Sequence, residues 1–241
     1  MRERPIYVLL IPGYDWSHHK NIHHLYEFLN EIPRIPFHRI HNIANEDNRI
    51  TAVESIEKFF MSLPRATTVD VAVMYIGHGN YGIFSPNGIT LGYNKFVRYF
   101  GDLSGDFIFV NDSCHSGSCM QFFNREGLLP DRGQVIASAR ESEKSYSDHF
   151  YRSFLSSLIN RKRYKKRVVG RYVRSGSYEA EKWYTKNQAS PIPRRKNKPT
   201  VNLDTSQLVI KPQTDWVLIE QSHPRVMGKP LEHLLFPEGS T

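Results

Sequence analysis

Cysteine is almost absent from this chain: Cys114 and Cys119 are the only two among 241 residues. Two thiols five positions apart do not make a disulfide framework, so the fold has to rest on its apolar core. The same scarcity favours an intracellular, reducing location, taken here as cytoplasmic. Long hydrophobic runs are also missing. No segment approaches the roughly 20 apolar residues that cross a bilayer, so no membrane partner is expected. The N-terminal run Ile6–Ile11 is too short for a signal peptide and reads as a buried strand. Internal repeats are absent as well. Charge is unbalanced: 32 Lys and Arg against 24 Asp and Glu leave +8. The excess crowds into Arg161–Arg174 and Arg194–Lys198, which suits a solvated cationic face or, less well, contact with nucleic acid.

What is present is a globular composition, 39% hydrophobic with 13 Tyr and 14 Phe, long enough to bury a core unaided. Ile6–Ile11, His38–Ile43, Val69–Ile76, Asp106–Val110 and Gln134–Ser138 read as strands. Between them, Asn21–Asn30, Thr51–Leu63, Tyr93–Phe100 and Cys114–Asn124 carry helical signals, and Ser147–Asn160 follows as a further helix. Tyr81–Leu91, with Asn87-Gly88 at its middle, reads as a small hairpin. Strands alternating with helices predict βαβ units and a mostly parallel sheet with helices on both faces. Residues 1–160 form the expected core. Residues 161–241 are a basic linker and C-terminal segment expected to complete the same domain. In that segment, Tyr178–Asn187 has a helical pattern and Ala189–Pro199 is loop-like. Gln207–Lys211 and Trp216–Glu220 are strand candidates, and Gly228–Thr241 is irregular.

Two motifs carry chemistry. Met74–Gly79, Met-Tyr-Ile-Gly-His-Gly, ends one strand; Asn111–Gly117, Asn-Asp-Ser-Cys-His-Ser-Gly, ends the next. If the strands are parallel neighbours, their carboxyl ends bring His78 and Cys114 to one rim, where open α/β sheets hold ligands. A thiol attacks an amide only as its thiolate, so a base or cation must stand nearby. His78 would draw the proton from Cys114 or act as general acid toward the leaving amine. Gly79 leaves an N–H beside the histidine open to a substrate carbonyl, and with the Cys114 N–H it would form an oxyanion hole. A helix starting at Ser116-Gly117-Ser118 would favour the thiolate further. Asp112, two residues before Cys114, shares its face in an extended segment; it would bind a basic substrate side chain or cap its own turn.

Other groups read more plainly. Ser17-His18-His19 and His23-His24 form a histidine-dense stretch in which His19 and His23 have helical i,i+4 spacing, but no carboxylate or cysteine completes a metal site. They are taken as surface histidines, and no metal ligand is assigned. His115 and Cys119 read as structural. Glu141 and Glu143 follow the fifth strand and would hold a basic substrate or Ca²⁺, or face solvent.

Gly-His-Gly after one hydrophobic strand and Asp-Ser-Cys-His-Ser-Gly after the next resemble the metacaspases and, more broadly, the caspase-like cysteine peptidases, over roughly Ile6 to Asn160 in element order. The resemblance implies a caspase-like three-layer sandwich and hydrolysis of protein or peptide substrates after Arg or Lys by a Cys114–His78 dyad. Asp112 would line an acidic pocket, joined by Asp15 from the loop after the first strand. Ile76 departs from the serine usual two residues before the family's histidine. Calcium dependence is common among metacaspases, yet no oxygen-ligand cluster is legible here, so no cofactor is assigned with Ca²⁺ left open. Self-cleavage within Arg161–Arg167 or Arg194-Arg195-Lys196 is a further expectation. Two alternatives remain: a catalytically idle caspase-like module for interaction or nucleic-acid binding, and a legumain-like enzyme cutting after Asn or Asp.

Overall fold

The computed structural model describes residues 4–30, 39–45, 51–129, 131–145, 150–151, 192–193, 216–217 and 225–228. In chain order these give β1 (Ile6–Pro12), α1 (Trp16–Asn30), β2 (Ile40–Asn42), α2 (Ala52–Ser62), β3 (Asp70–Ile76), β4 (Gly79–Asn80), β5 (Ile83–Phe84), β6 (Leu91–Gly92), α3 (Tyr93–Phe96) and α4 (Arg98–Gly101). There follow β7 (Phe107–Asp112), α5 (Cys119–Arg125), β8 (Gly133–Ala137), β9 (Ile192–Pro193), β10 (Trp216–Val217) and β11 (Arg225–Gly228). Six strands make the central sheet in the order β11-β8-β7-β3-β1-β2. All neighbours are parallel except β11, which runs antiparallel to β8.

Central strands buried on both faces must be apolar at nearly every position, and β3 is buried at all seven residues. Alternation then sorts the side chains. Val71, Val73 and Tyr75 share one core with Phe107, Phe109 and residues of α2, α3, α4 and α5. Ala72, Met74 and Ile76 share the other with Ile108, Val110, residues of α1, and Phe150 and Tyr151. Helices therefore cover both faces of a mostly parallel sheet, as the alternating pattern predicts. A capping box, with Thr51 accepting from the Glu54 N–H and Glu54 returning the contact, starts α2.

Three local expectations change. Helix α1 begins at Trp16, five residues earlier than the apolar spacing suggested, because the Asp15 carbonyl accepts from the His18 and His19 N–H groups at 2.9 and 3.3 Å. The expected hairpin around Asn87-Gly88 is antiparallel β5 and β6, joined by residues 85–90, where Asn87 and Gly88 take positive φ in a short 3₁₀ turn. It gains a third strand, β4, through a tighter turn at Tyr81-Gly82. The helix after Cys114 is delayed: His115 adopts a left-handed conformation (φ 56°), a 3₁₀ turn follows, and α5 starts only at Cys119. The thiol therefore does not sit in the first turn of that helix. Strand β10 falls in an expected strand, but its partner β9 lies within a stretch read as loop, and β11 had no sequence expectation. Tyr178–Asn187, Gln207–Lys211 and both basic runs lie outside the described residues, as does most of Ser147–Asn160.

Candidate active site

Strand order reverses beside β1, since β1 leads outward to β2 on one side while β3 lies on the other. A crevice therefore opens at the carboxyl ends of β1 and β3. Register places the two motifs at matched depth. Ile76 pairs with Asp112 across β3 and β7; His78 and Cys114 each lie two residues further on. Parallel neighbours run about 4.8 Å apart, so the two residues follow the ends of adjacent strands at the same level. Alternation assigns Ile76 and Val110 to the α1 side of the sheet, and His78, Asp112 and Cys114 continue that parity.

The two strand ends touch at Gly79. A Cβ there would lie 2.7 Å from the Cys114 carbonyl and 2.9 Å from the Ser113 Cβ. Only glycine lets the backbones come so close.

His78 is the more open partner, its side chain 64% exposed. Its Nε2 meets Asp15 Oδ2 at 2.7 Å. Asp15, expected to join Asp112 in a pocket, stands against the imidazole. Its carbonyl accepts the first N–H groups of α1, and its own N–H donates to His18 Nδ1 at 3.3 Å. The buried His18 ring meets the His78 ring edge-on, centroids 5.0 Å apart. Sequence reasoning left His18 among surface histidines; the available signal was Asp15 three positions before it, the spacing at which an N3 side chain answers its N-cap. His19 is half-buried and the exposed His23 pairs with Glu27 at 3.2 Å.

Cys114 is half-buried. Its Sγ donates to the Ser145 carbonyl at 3.4 Å, and the Ser145 hydroxyl donates to Asp112 Oδ1 at 3.0 Å. One residue of the loop after β8 therefore meets both the thiol and the buried carboxylate, on one face as the i,i+2 spacing required. Further back, Ser145, Ser138 and Ser116 are linked through their hydroxyls at 2.9 and 3.4 Å. The same loop holds His115 in its left-handed turn: the Glu143 carbonyl accepts from the His115 N–H at 2.7 Å, and the Glu141 carbonyl meets His115 Nδ1 at 2.9 Å. The Glu141 side chain accepts from Gln121, and the Glu143 side chain from the Arg140 N–H. Both acids are thus engaged locally.

Beneath the rim, buried hydroxyls secure each motif. Tyr75 donates to the His78 carbonyl at 2.6 Å and accepts from the Ser85 N–H at 3.2 Å. On β7, Asn111 donates to the Tyr93 hydroxyl at 2.9 Å, and Ser113 donates to Asn111 Oδ1 at 2.8 Å. Burial raises the pKa of both tyrosines, so both stay neutral. Phe84 stacks on Tyr93 (5.2 Å, 8°) and meets Tyr75 edge-on at 4.8 Å. Cys119 is fully buried, and that burial pushes its thiol up to about 12.

Neither a family model nor a curated protein matches the chain by sequence. By structure it is similar to caspase-1 from Spodoptera frugiperda, with a TM-score of 0.55 and 10% identity over 94% of this chain and 89% of that one. Raptor from Chaetomium thermophilum gives a TM-score of 0.46 and 16% identity, over 70% of this chain and 20% of that one. The chain has a caspase-like α/β fold. No helix among the described residues is long and apolar enough to cross a membrane.

Proposed function

We propose that this protein is a cysteine endopeptidase of the caspase-like type, nearest in its motifs to metacaspases. The observation that carries the reading is the matched register. A histidine and a cysteine each stand two residues beyond the paired Ile76 and Asp112, just past the ends of adjacent parallel strands, at the crevice where such sheets take ligands.

In this reading Cys114 attacks the scissile carbonyl as its thiolate and His78 exchanges the proton with the leaving amine. The N–H groups of Gly79 and Cys114 would receive the developing oxyanion. Asp15 orients the imidazole rather than serving mainly as a pocket acid, its carboxylate being 2.7 Å from Nε2. The specificity acid is then Asp112, whose burial beside the thiol suits a long basic side chain reaching past Cys114, hence substrates cut after Arg or Lys. Tyr14 and Trp16, both exposed next to Asp15, offer apolar surface to a bound peptide. Residues 161–241 would complete the same domain, β11 pairing with β8, and self-cleavage would fall in Arg161–Arg167 or Arg194-Arg195-Lys196.

The deciding experiment compares wild type with Cys114→Ala on reporter peptides ending in Arg, Lys, Asn or Asp, and treats the wild type with an irreversible thiol inhibitor bearing Arg. Cleavage after Arg or Lys that vanishes in the variant, with Cys114 labelled, is the expected result. A fully active variant would refute the dyad. Cleavage after Asn alone would favour the legumain-like alternative, and an inert, unlabelled wild type would leave an interaction module. N-terminal sequencing of the incubated protein tests self-cleavage; an intact chain in active enzyme would exclude it.

A further inference from the structure

Three potential ligands converge at the crevice between β1 and β3. Asp15 Oδ2 lies 2.7 Å from His78 Nε2 and 3.9 Å from His18 Nδ1, and one ligand atom from each residue lies within 4.8 Å of the others. They come from the loop after β1, the first turn of α1 and the end of β3, so the fold, and not a local sequence motif, assembles them.

Bond lengths of about 2.0–2.2 Å from zinc to imidazole nitrogen or carboxylate oxygen place tetrahedral ligand atoms about 3.4 Å apart. The observed separations bracket that value. Only side-chain adjustment of about an ångström would equalise them. A ligating imidazole must offer a lone pair. At His18 the Asp15 N–H donates to Nδ1 at 3.3 Å, so that nitrogen carries the lone pair, and an ion takes it by replacing this long hydrogen bond; at His78 the ion replaces the proton shared by Nε2 and Asp15. His18 is 5% exposed, so its ring is held by packing while His78 and Asp15 stay open to the solvent from which an ion arrives. Two imidazoles and one carboxylate suit zinc and its neighbours, whereas calcium and magnesium take six or more ligands, nearly all oxygen.

We propose that Asp15, His18 and His78 form a binding site for a divalent transition cation of the zinc class, with a fourth position left to solvent. An ion there occupies His78 Nε2 and Asp15 together. The inhibitory consequence rests on the peptidase reading: a ligated imidazole no longer accepts or donates a proton, so the loaded enzyme is switched off reversibly. Binding itself requires no catalysis.

Cobalt(II) supplies a spectroscopic probe. The full chain bearing Cys114→Ala, which removes the accessible thiol as a competing ligand, is titrated with Co²⁺ while its visible absorption is followed, and Zn²⁺ then displaces the cobalt. One equivalent of a tetrahedral Co²⁺ spectrum is expected, unaffected by excess Ca²⁺ or Mg²⁺. Affinity should fall at least tenfold in each of Asp15→Asn and His18→Gln made in that background. Asp15 is exposed, so its variant keeps the test open should the buried His18 position fail to fold. Absence of a saturable one-equivalent spectrum, or unchanged affinity in Asp15→Asn, would overturn the site. For the active chain, Zn²⁺ inhibition reversed by a chelator is expected. Cobalt binding without peptidase activity retains the metal site and removes the peptidase reading; activity unaffected by saturating zinc removes the inhibitory role alone.

Discussion

Asp15 Oδ2 and His78 Nε2 meet at 2.7 Å across 63 residues of sequence, joining the loop after β1 to the end of β3 over the crevice. The resemblance to metacaspases made Asp15 a substrate-binding acid. Its contact with His78 supports the proposed role of orienting the imidazole, and the two roles separate kinetically. Asp15→Asn should lower kcat roughly 10- to 100-fold on an Arg reporter with KM changed less than threefold, since general acid–base catalysis contributes about 10²–10⁴. A raised KM with kcat preserved would return Asp15 to the pocket.

At Gly79 the two motifs are packed too tightly to admit a side chain. In Gly79→Ala the new methyl would meet the Cys114 carbonyl and the Ser113 side chain, and the strand ends must part. Activity should fall at least 100-fold, with a drop in Tm of several degrees, as an overpacked site costs about 1–3 kcal/mol. Full activity would show that the contact relaxes freely and that the oxyanion geometry does not depend on it.

Tyr75→Phe deletes one oxygen and leaves the ring in place. The His78 carbonyl and the Ser85 N–H both lose that partner but keep each other at 3.0 Å. The net loss of a hydrogen bond costs about 0.5–1.5 kcal/mol, which should appear as a slightly lower urea midpoint together with a fall in kcat. Unchanged stability and kcat would mean that water or backbone movement replaces the hydroxyl.

Alkali tests the buried acids. Burial raises Cys119 from its ordinary 9.0 to about 12 and lifts Tyr75 and Tyr93 as well. These groups keep their protons in the folded chain while the unfolded chain ionises, so unfolding releases protons. The native state's advantage is intact below pH 9 and declines as pH rises toward 12. In Cys119→Ala the decline should be shallower by one proton, about 1.4 kcal/mol per pH unit. Identical slopes in denaturant titrations at pH 9–11 would contradict the assignment.

The parts of this site visible in the sequence were those set by local pattern. Val69–Ile76 and Phe107–Val110 stood out because strands covered on both faces are apolar at nearly every position, and His78 and Cys114 stood out because they lie just beyond those runs. The tertiary partners did not show. Tyr75 looked like one more core aromatic; its hydroxyl, three residues before His78, was the only hint. Ser145 carried no hint, because its contacts with Cys114 and Asp112 depend on how the loop after β8 folds back. His18 was hidden by its histidine neighbours and by a helix that starts earlier than its apolar residues do. Strand β11 is four residues long in a segment without strand periodicity, and its edge pairing with β8 is a tertiary choice.

Phe84 contains no polar side-chain atom and lies on a minor hairpin, yet its ring touches both phenols that tether the two motifs. One benzene ring is thus shared packing for the supports of both motifs. A change on the hairpin's hidden face, well away from any reacting atom, would loosen both halves of the site together.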